Sequence, residues 1–374
     1  MTPMKRAVSL AREAMGTTSP NPAVGAVLVK DGVVLGTGHT QPPGSHHAEI
    51  EALLMAGDSS RGATLYTTLE PCCIFGRTPP CTQAIIAAGV AEVQVAAIDP
   101  NPRVAGNGVT ELQASGLQVS LGDEAEAARE LYEAFAKHIN TKLPFITAKF
   151  AMSLDGKIAT ETGDSKWVTG PQARGIVQQL RRECDAVMVG INTVLADDPQ
   201  LTARDDQGAP LTRQPLRVVL DSLCRTPLDA RLLREPGHTL IITSSKATGQ
   251  QVDQLKQAGA KVLRVSPTPG GRLDLNQVMA ELGQQDIVSL LVEAGGTLQG
   301  ALFDAGLVDK VMAFIAPVII GGMHAASPVE GQGASRMAET WRLTRTSFQE
   351  VGPDWLITGY PSQPQQTLFT QTEA

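Results

Sequence analysis

Aromatic residues are scarce in this chain. Phe, Trp and Tyr make up 4% of its 374 residues, so its cores have to be built from Ala, Val, Ile and Leu. Cysteine is scarce too. Five cysteines, an odd number at low density, do not make a disulfide framework, and the expected setting is a reducing cytoplasm. Surplus positive charge is missing: the formal net charge is −7. That argues against nucleic-acid and anionic-membrane partners, which reward clustered Lys and Arg. No apolar run approaches the ~20 residues needed to span a bilayer. The opening stretch MTPMKRAVSLAREAMG has no secretory apolar block. Its Met4, Ala7, Val8, Ala11, Ala14 and Met15 form one helical stripe instead. Internal repeats are absent as well.

What remains is an ordinary globular composition, 42% hydrophobic and 18% charged. At roughly 150 residues per domain, this length predicts two domains. The first reads as a helix over 3–15, a hairpin around Asp31-Gly32, and helices over 47–57, 81–89, 106–116 and 123–140. Strands fall between them at 63–68, 92–98 and 117–121. That order predicts an α/β/α sandwich over 1–143. Pro144 ends the last helical pattern. A second α/β domain follows over 144–361, with strands at 145–152, 185–190, 216–221, 239–243, 260–265, 287–293 and 310–316. Its helices are expected at 171–183, 249–258, 275–283 and 297–305. The Gln-rich end, 362–374, reads as a disordered tail.

Three of the five cysteines stand in EPCCIFGRTPPC, residues 70–81. Upstream, HHAEIEALLMAG opens a helix with His47 and Glu49 in its first turn. His-x-Glu, then Pro-Cys, then a further Cys is the pattern of zinc deaminases of the cytidine type. Zinc in a catalytic site takes three N and S ligands and leaves a fourth position for water. It makes hydroxide available near neutral pH, and a carboxylate that is not a ligand shuttles the proton. Spacing selects among the cysteines. Cys72 ends the Pro71 segment and Cys81 opens the next helix, whose N-terminus favours thiolate. Cys73, adjacent to Cys72, points elsewhere. His47, Cys72 and Cys81 are therefore the candidate metal ligands and Glu49 the candidate proton shuttle. His46 and Glu51 read as bystanders, and Cys184 and Cys224 as buried thiols.

GTGHTQPPG at 36–44 lacks the third glycine of a dinucleotide fingerprint and does not open a helix. VEAGGTLQGALFDAG at 292–306 is a better candidate. A strand ends at Glu293, Gly295 and Gly296 turn the chain, and the N–H groups of a starting helix can hold phosphate. It is no Walker loop, because Lys-Ser/Thr is absent. SLDGKIATETGDSKWVTG (153–170), Arg181-Arg182 and GINTVLADDPQLTAR (190–204) read as polar loops off a rigid sheet, the usual place for a ligand. On the residues alone, this second site is a polar-ligand pocket.

These motifs together resemble the bifunctional riboflavin-biosynthesis deaminase/reductase family, from SPNPAVGAVLV to APVIIGG. The resemblance implies a cytidine-deaminase-like first domain and a dihydrofolate-reductase-like second one. It implies deamination of a diaminopyrimidinone carrying ribosylamino 5-phosphate, then reduction of the ribosyl group by NADPH. By motif position it places Ala151, Trp167, Thr193, Asp197, Gly295 and Gly296 at NADPH. Ser165, Arg181, Leu201, Arg204 and Glu293 match contacts to the reductase substrate, and Arg181 and Arg204 suit its phosphate. Asn21 and His39 match the deaminase pocket. A homo-oligomer acting on a small phosphorylated pyrimidine is expected.

Three departures stand out. Ile74 occupies a position where the family usually has His, the stretch between His39 and His47 is one residue longer than usual, and Ala294 replaces a common glycine. The alternatives are a reductase with an impaired deaminase domain, a zinc deaminase of another nucleoside or of nucleic acid, and a zinc-stabilised scaffold that binds a nucleotide.

Overall fold

The computed structural model describes residues 1–362. Its chain forms two compact units, Met1–Pro144 with Gly283–Val288, and Phe145–Leu282 with the residues from Ser289 on.

The first unit begins with α1 (Pro3–Ala14), capped by the Thr2 hydroxyl. The hairpin β1 (Gly25–Lys30) and β2 (Val33–His39) follows. Asp31 and Gly32 turn it with φ values of 50° and 77°, the left-handed pair that a two-residue hairpin requires. Next come α2 (Ala48–Ala56), β3 (Thr64–Thr67), α3 (Cys81–Ala88), β4 (Glu92–Val95), α4 (Asn107–Ala114), β5 (Gln118–Leu121) and α5 (Ala125–Thr141). The sheet order is β2-β1-β3-β4-β5. β1 runs antiparallel to β2 and β3, and β3, β4 and β5 are parallel.

Helices seat directly on this sheet where side chains are missing. A Cβ on Gly25 would lie 1.9 Å from the Ala7 carbonyl oxygen. On Gly36 it would lie 2.1 Å from that of Ala52, and on Gly38 2.2 Å from that of Ala48. Only glycine permits such backbone approach. The core between them is small and aliphatic: Ala7, Ala11, Ala26, Leu28, Ala48, Ala52 and Leu65 are buried.

The second unit runs β6 (Phe145–Ser153), α6 (Pro171–Glu183), β7 (Ala186–Gly190), α7 (Ile191–Asp197), β8 (Leu216–Leu220), α8 (Arg231–Arg234), β9 (Thr239–Ser244), α9 (Gly249–Gln257) and β10 (Lys261–Val265). α10 (Leu275–Gln284), β11 (Ser289–Val292), α11 (Gly296–Asp304), β12 (Lys310–Ala316), β13 (Arg342–Val351) and β14 (Asp354–Ser362) follow. Nine strands make one sheet, ordered β10-β9-β8-β7-β11-β6-β12-β14-β13. It is parallel up to β12, with β14 and β13 added antiparallel. Its central strands are buried on both faces, as a sheet covered by helices requires.

Three sequence expectations need correction. GINTVLADDPQLTAR was expected to be loop, yet Ile191–Asp197 is helical. Seven residues are too few for a 3.6-residue period to declare itself. Two long strands, β13 and β14, close the sheet where no strand was expected. β13 is exposed at nine of its ten positions, so it has no apolar face to read. The strand β14 reaches Ser362, which the sequence assigned to the tail. Positions 363–374, the rest of that expected tail, lie outside the described residues. Cys184 and Cys224 are buried free thiols.

Candidate functional site

In the first unit the candidate metal ligands come from three segments. His47 is the N-cap of α2, Cys72 lies in the irregular stretch after β3, and Cys81 opens α3. Their ligand atoms all lie within 4.8 Å of one another. His47 Nδ1 is 3.6 Å from Cys72 Sγ and 3.3 Å from Cys81 Sγ. Zn–N and Zn–S bonds of about 2.05 and 2.3 Å at tetrahedral angles would separate N from S by about 3.6 Å. The three residues therefore fit zinc, and His47 presents Nδ1 to it. Its other ring nitrogen, Nε2, lies 3.4 Å from the Thr78 hydroxyl, a partner that fixes the ring's orientation.

The helix start at α3 does favour a thiolate, but that of Cys72. The Cys81 N–H donates to Cys72 Sγ at 3.4 Å. The Cys81 side chain does most to draw Cys72 down to about 4, against its burial, with His47 and this N–H adding to it. Cys81 is pushed up instead, by its hydrogen bond to Cys72 and by its burial beside Glu49.

Glu49 sits in the first turn of α2, 3% exposed. Burial, together with the Cys72 charge, lifts its carboxyl to about 7, and Oε2 lies 3.6 Å from Cys81 Sγ. Glu49 thus borders the ligand set without belonging to it. The bystanders pair with each other: His46 Nδ1 is 2.8 Å from Glu51 Oε1. Cys73 is half-buried and lies outside the ligand group.

His39 ends β2 one residue after Gly38, which seats the start of α2. Asn21 lies in the turn before β1, where its N–H bonds Thr18 O. Among the described residues, neither side chain hydrogen-bonds to the ligand group. Ile74 is half-buried in the loop after Cys73.

The sequence reading missed Glu70. It is 2% exposed, and its carboxylate accepts N–H bonds from Asp99 (3.1 Å), Gly106 (2.9 Å) and Val109 (3.1 Å). It therefore ties the segment carrying Cys72 to the first turn of α4. Gly108 completes the junction, since a Cβ there would lie 2.2 Å from Pro71 O.

The second unit gathers its polar residues past the end of β11, beside the middle of β6. Glu293 follows β11 and takes a bidentate hydrogen bond from Arg181 of α6 (Nε 2.6 Å, Nη2 3.1 Å). Lys149 of β6 approaches Glu293 at 3.7 Å. Burial pushes the Glu293 carboxyl up, but Arg181 and Lys149 outweigh it and hold it below its ordinary range. Burial likewise draws Lys149 down. Lys149 was missed from sequence; the available signal was one charge inside the apolar run of 145–152. Arg181 also donates Nη1 to Thr202 O at 3.2 Å. Arg204 points its Nε at the Thr202 hydroxyl, 2.9 Å away. Leu201 is buried with φ 54°.

Thr193 and Asp197 lie on α7, and Asp197 Oδ1 accepts from the Ser165 hydroxyl at 3.3 Å. Ala151 is on β6. Trp167 is 71% exposed, with the Arg174 guanidinium 4.8 Å over its ring. Gly295 caps α11 and Gly296 begins it. A Cβ on Gly295 would meet only Ile158 Cδ1, at 4.0 Å, so it would project into open space. That open turn at a helix N-terminus fits a phosphorylated cofactor. On Gly296 a Cβ would lie 2.4 Å from Ser327 O, so glycine is required there for packing. Ala294 is not among the residues with positive φ, which explains why it tolerates a side chain.

Residues 2–97 match the cytidine and deoxycytidylate deaminase zinc-binding region, and residues 144–357 match the RibD C-terminal domain. The chain is 44% identical over 360 residues to the riboflavin biosynthesis protein RibD of Synechocystis, covering 96% of this chain and 95% of that one. It is 41% identical over 356 residues to that of Actinobacillus pleuropneumoniae, covering 95% and 93%. A solved structure of Acinetobacter baumannii RibD superposes with a TM-score of 0.84 at 37% identity, over 96% of this chain and 98% of that one. A Thermotoga maritima structure described as a diaminohydroxyphosphoribosylaminopyrimidine deaminase/5-amino-6-(5-phosphoribosylamino)uracil reductase superposes at 0.81 with 33% identity.

Proposed function

Because the chain belongs to the bifunctional RibD family of riboflavin biosynthesis, we propose how its residues divide that family's two reactions. It is a deaminase and a reductase, with zinc and NADPH as cofactors. We assign deamination to residues 1–143 and reduction to 144–361. The substrate of the first is the diaminopyrimidinone with a ribosylamino 5-phosphate, and its deaminated product feeds the second.

In the deaminase, His47, Cys72 and Cys81 would hold zinc, which supplies acidification of a water molecule. Glu49 holds and moves the proton, taking it at its carboxylate and delivering it to the departing amine. The observation that carries this is one buried carboxyl against a three-ligand group: a structural zinc site would be closed by a fourth ligand and would not need it. Asn21 and His39 are assigned to the pyrimidine.

In the reductase, NADPH supplies a hydride. Ala151, Trp167, Thr193, Asp197, Gly295 and Gly296 are assigned to its binding. Ser165, Arg181, Leu201, Arg204 and Glu293 are assigned to the substrate. Arg181 has three N–H groups engaged by Glu293 and Thr202, so Arg204 is the freer cation for the phosphate.

No helix among the described residues is long and apolar enough to cross a membrane. Five free cysteines support a cytoplasmic enzyme. The exposed edge strand β13 supports self-association. The decisive experiment follows ammonia release and NADPH oxidation separately on the diaminopyrimidinone. Both should proceed, and chelation should stop ammonia release while reduction of supplied deaminated product continues. Full ammonia release from metal-free protein would sink the zinc assignment.

A further inference from the structure

Leu201, Thr202 and Ala203 are almost completely buried, yet the segment lies in no named strand. Its one ladder contact is an isolated bridge from Arg204 to Pro210. Buried peptide groups must find partners, and here side chains supply most of them. Gln214 brackets Ala203, its Oε1 accepting the N–H (2.8 Å) and its Nε2 donating to the carbonyl (2.9 Å). The next peptide groups are taken by α6. Gln178 Oε1 accepts the Arg204 N–H at 3.1 Å, and Arg182 donates both Nε (3.0 Å) and Nη2 to the Arg204 carbonyl. Gln178, Arg181 and Arg182 stand at i, i+3 and i+4, hence on one face of the helix. The Arg204 side chain is then turned by its own Nε bond to Thr202. Its terminal nitrogens have no hydrogen-bond partner among the described residues.

We propose that Arg182 is a positioning residue of the reductase. It acts through Arg204, whose peptide it grips, and so sets where that guanidinium meets the 5-phosphate of the substrate. Its neighbour Arg181 does different work, against Glu293. Arg182 has a carboxylate nearby, Asp206 at 3.6 Å, but that group is almost fully exposed and is screened by water. The inference rests on the assignment of Arg204 to the substrate phosphate.

The test is steady-state reductase kinetics on full-length Arg182→Met, Arg182→Lys and Gln178→Leu. Each is measured with 5-amino-6-(5-phosphoribosylamino)uracil and with the same compound lacking its phosphate. Arg182→Met should raise KM for the phosphorylated substrate about tenfold, the worth of a charged hydrogen bond. It should leave KM for NADPH within about twofold. The phosphate-free compound should respond equally to wild type and variant. Arg182→Lys, which keeps one donor, should recover part of the loss. Gln178→Leu, which frees the N–H of the same residue, should repeat the phosphate-selective signature. The proposal is overturned if Arg182→Met changes nothing, if it harms both substrates alike, or if the NADPH KM rises in step. Arg204→Met separates this from the underlying assignment. If Arg204→Met leaves KM for the phosphorylated substrate unchanged, the phosphate reading itself fails. If it raises that KM while Arg182→Met is silent, only the positioning role fails.

Discussion

The deaminase centre uses one imidazole, two thiols and one lone carboxyl, brought together from α2, α3 and the stretch after β3. The proposed reductase centre sets two cations on one carboxylate at the end of β11, with a second arginine nearby. The first is a preformed set of N and S ligand atoms that suits a metal. In the second, the charges pair directly with one another, Arg181 and Lys149 on Glu293. One site should therefore be sensitive to chelation and the other to the loss of a single charge.

The largest effect is expected at Glu49. Glu49→Gln removes the proton carrier and should lower deaminase turnover about 10²–10⁴-fold while zinc stays bound. Ammonia release beside a metal:protein ratio measures both, and near-normal turnover would return the deaminase site to a scaffold. Next come the cysteines: Cys72→Ser should lose most of the zinc and Cys73→Ser should keep it. The reverse pattern of metal contents would overturn the ligand assignment.

Glu293→Gln leaves Arg181 and Lys149 facing each other at a mostly buried site. Removing one partner of such a cluster costs about 3–5 kcal/mol, read as a lower melting temperature of the reductase together with lost NADPH oxidation. The pH dependence has a definite sign. Because Glu293 is held below its ordinary range, its contribution is present above the ordinary glutamate pKa and is lost as pH falls through the depressed value. The wild type should lose stability across that acidic window and Glu293→Gln should lose less there; parallel acid curves would refute the pairing. The smallest effect belongs to Ile74→His. One added polar contact is worth about 1 kcal/mol, or roughly fivefold in KM for the deaminase substrate, with reductase kinetics unmoved. No change in KM would mean that this enzyme's pocket does not need that contact.

The same contrast explains what could be read from sequence. The chain has six His and five Cys, so a spacing that unites His47, Cys72 and Cys81 carries information at each position. It has 31 Lys and Arg and 38 Asp and Glu, so charge alone does not single out Arg182, and Lys149 is marked only by standing alone in the apolar run of 145–152. The carboxylate that Lys149 meets and the carbonyl that Arg182 meets are both tertiary facts. Glu70 was hidden for another reason. Its partners are backbone N–H groups at 99, 106 and 109, and a peptide group leaves no letter in the sequence. The fold followed the same rule. Buried strands such as β7 and β9 declare themselves by apolar runs, whereas β13 has almost no buried side and went unread.

Gly36 and Gly38 place α2, and α2 carries both His47 and Glu49. The deaminase centre is thus calibrated by two hydrogen atoms on a neighbouring strand, at positions that do no chemistry. A methyl group at either would lift the helix and shift ligand and proton carrier as one body. A mutational map of deaminase activity should accordingly show two dark columns at 36 and 38, while Leu54 and Met55, exposed on the same helix, accept substitution freely.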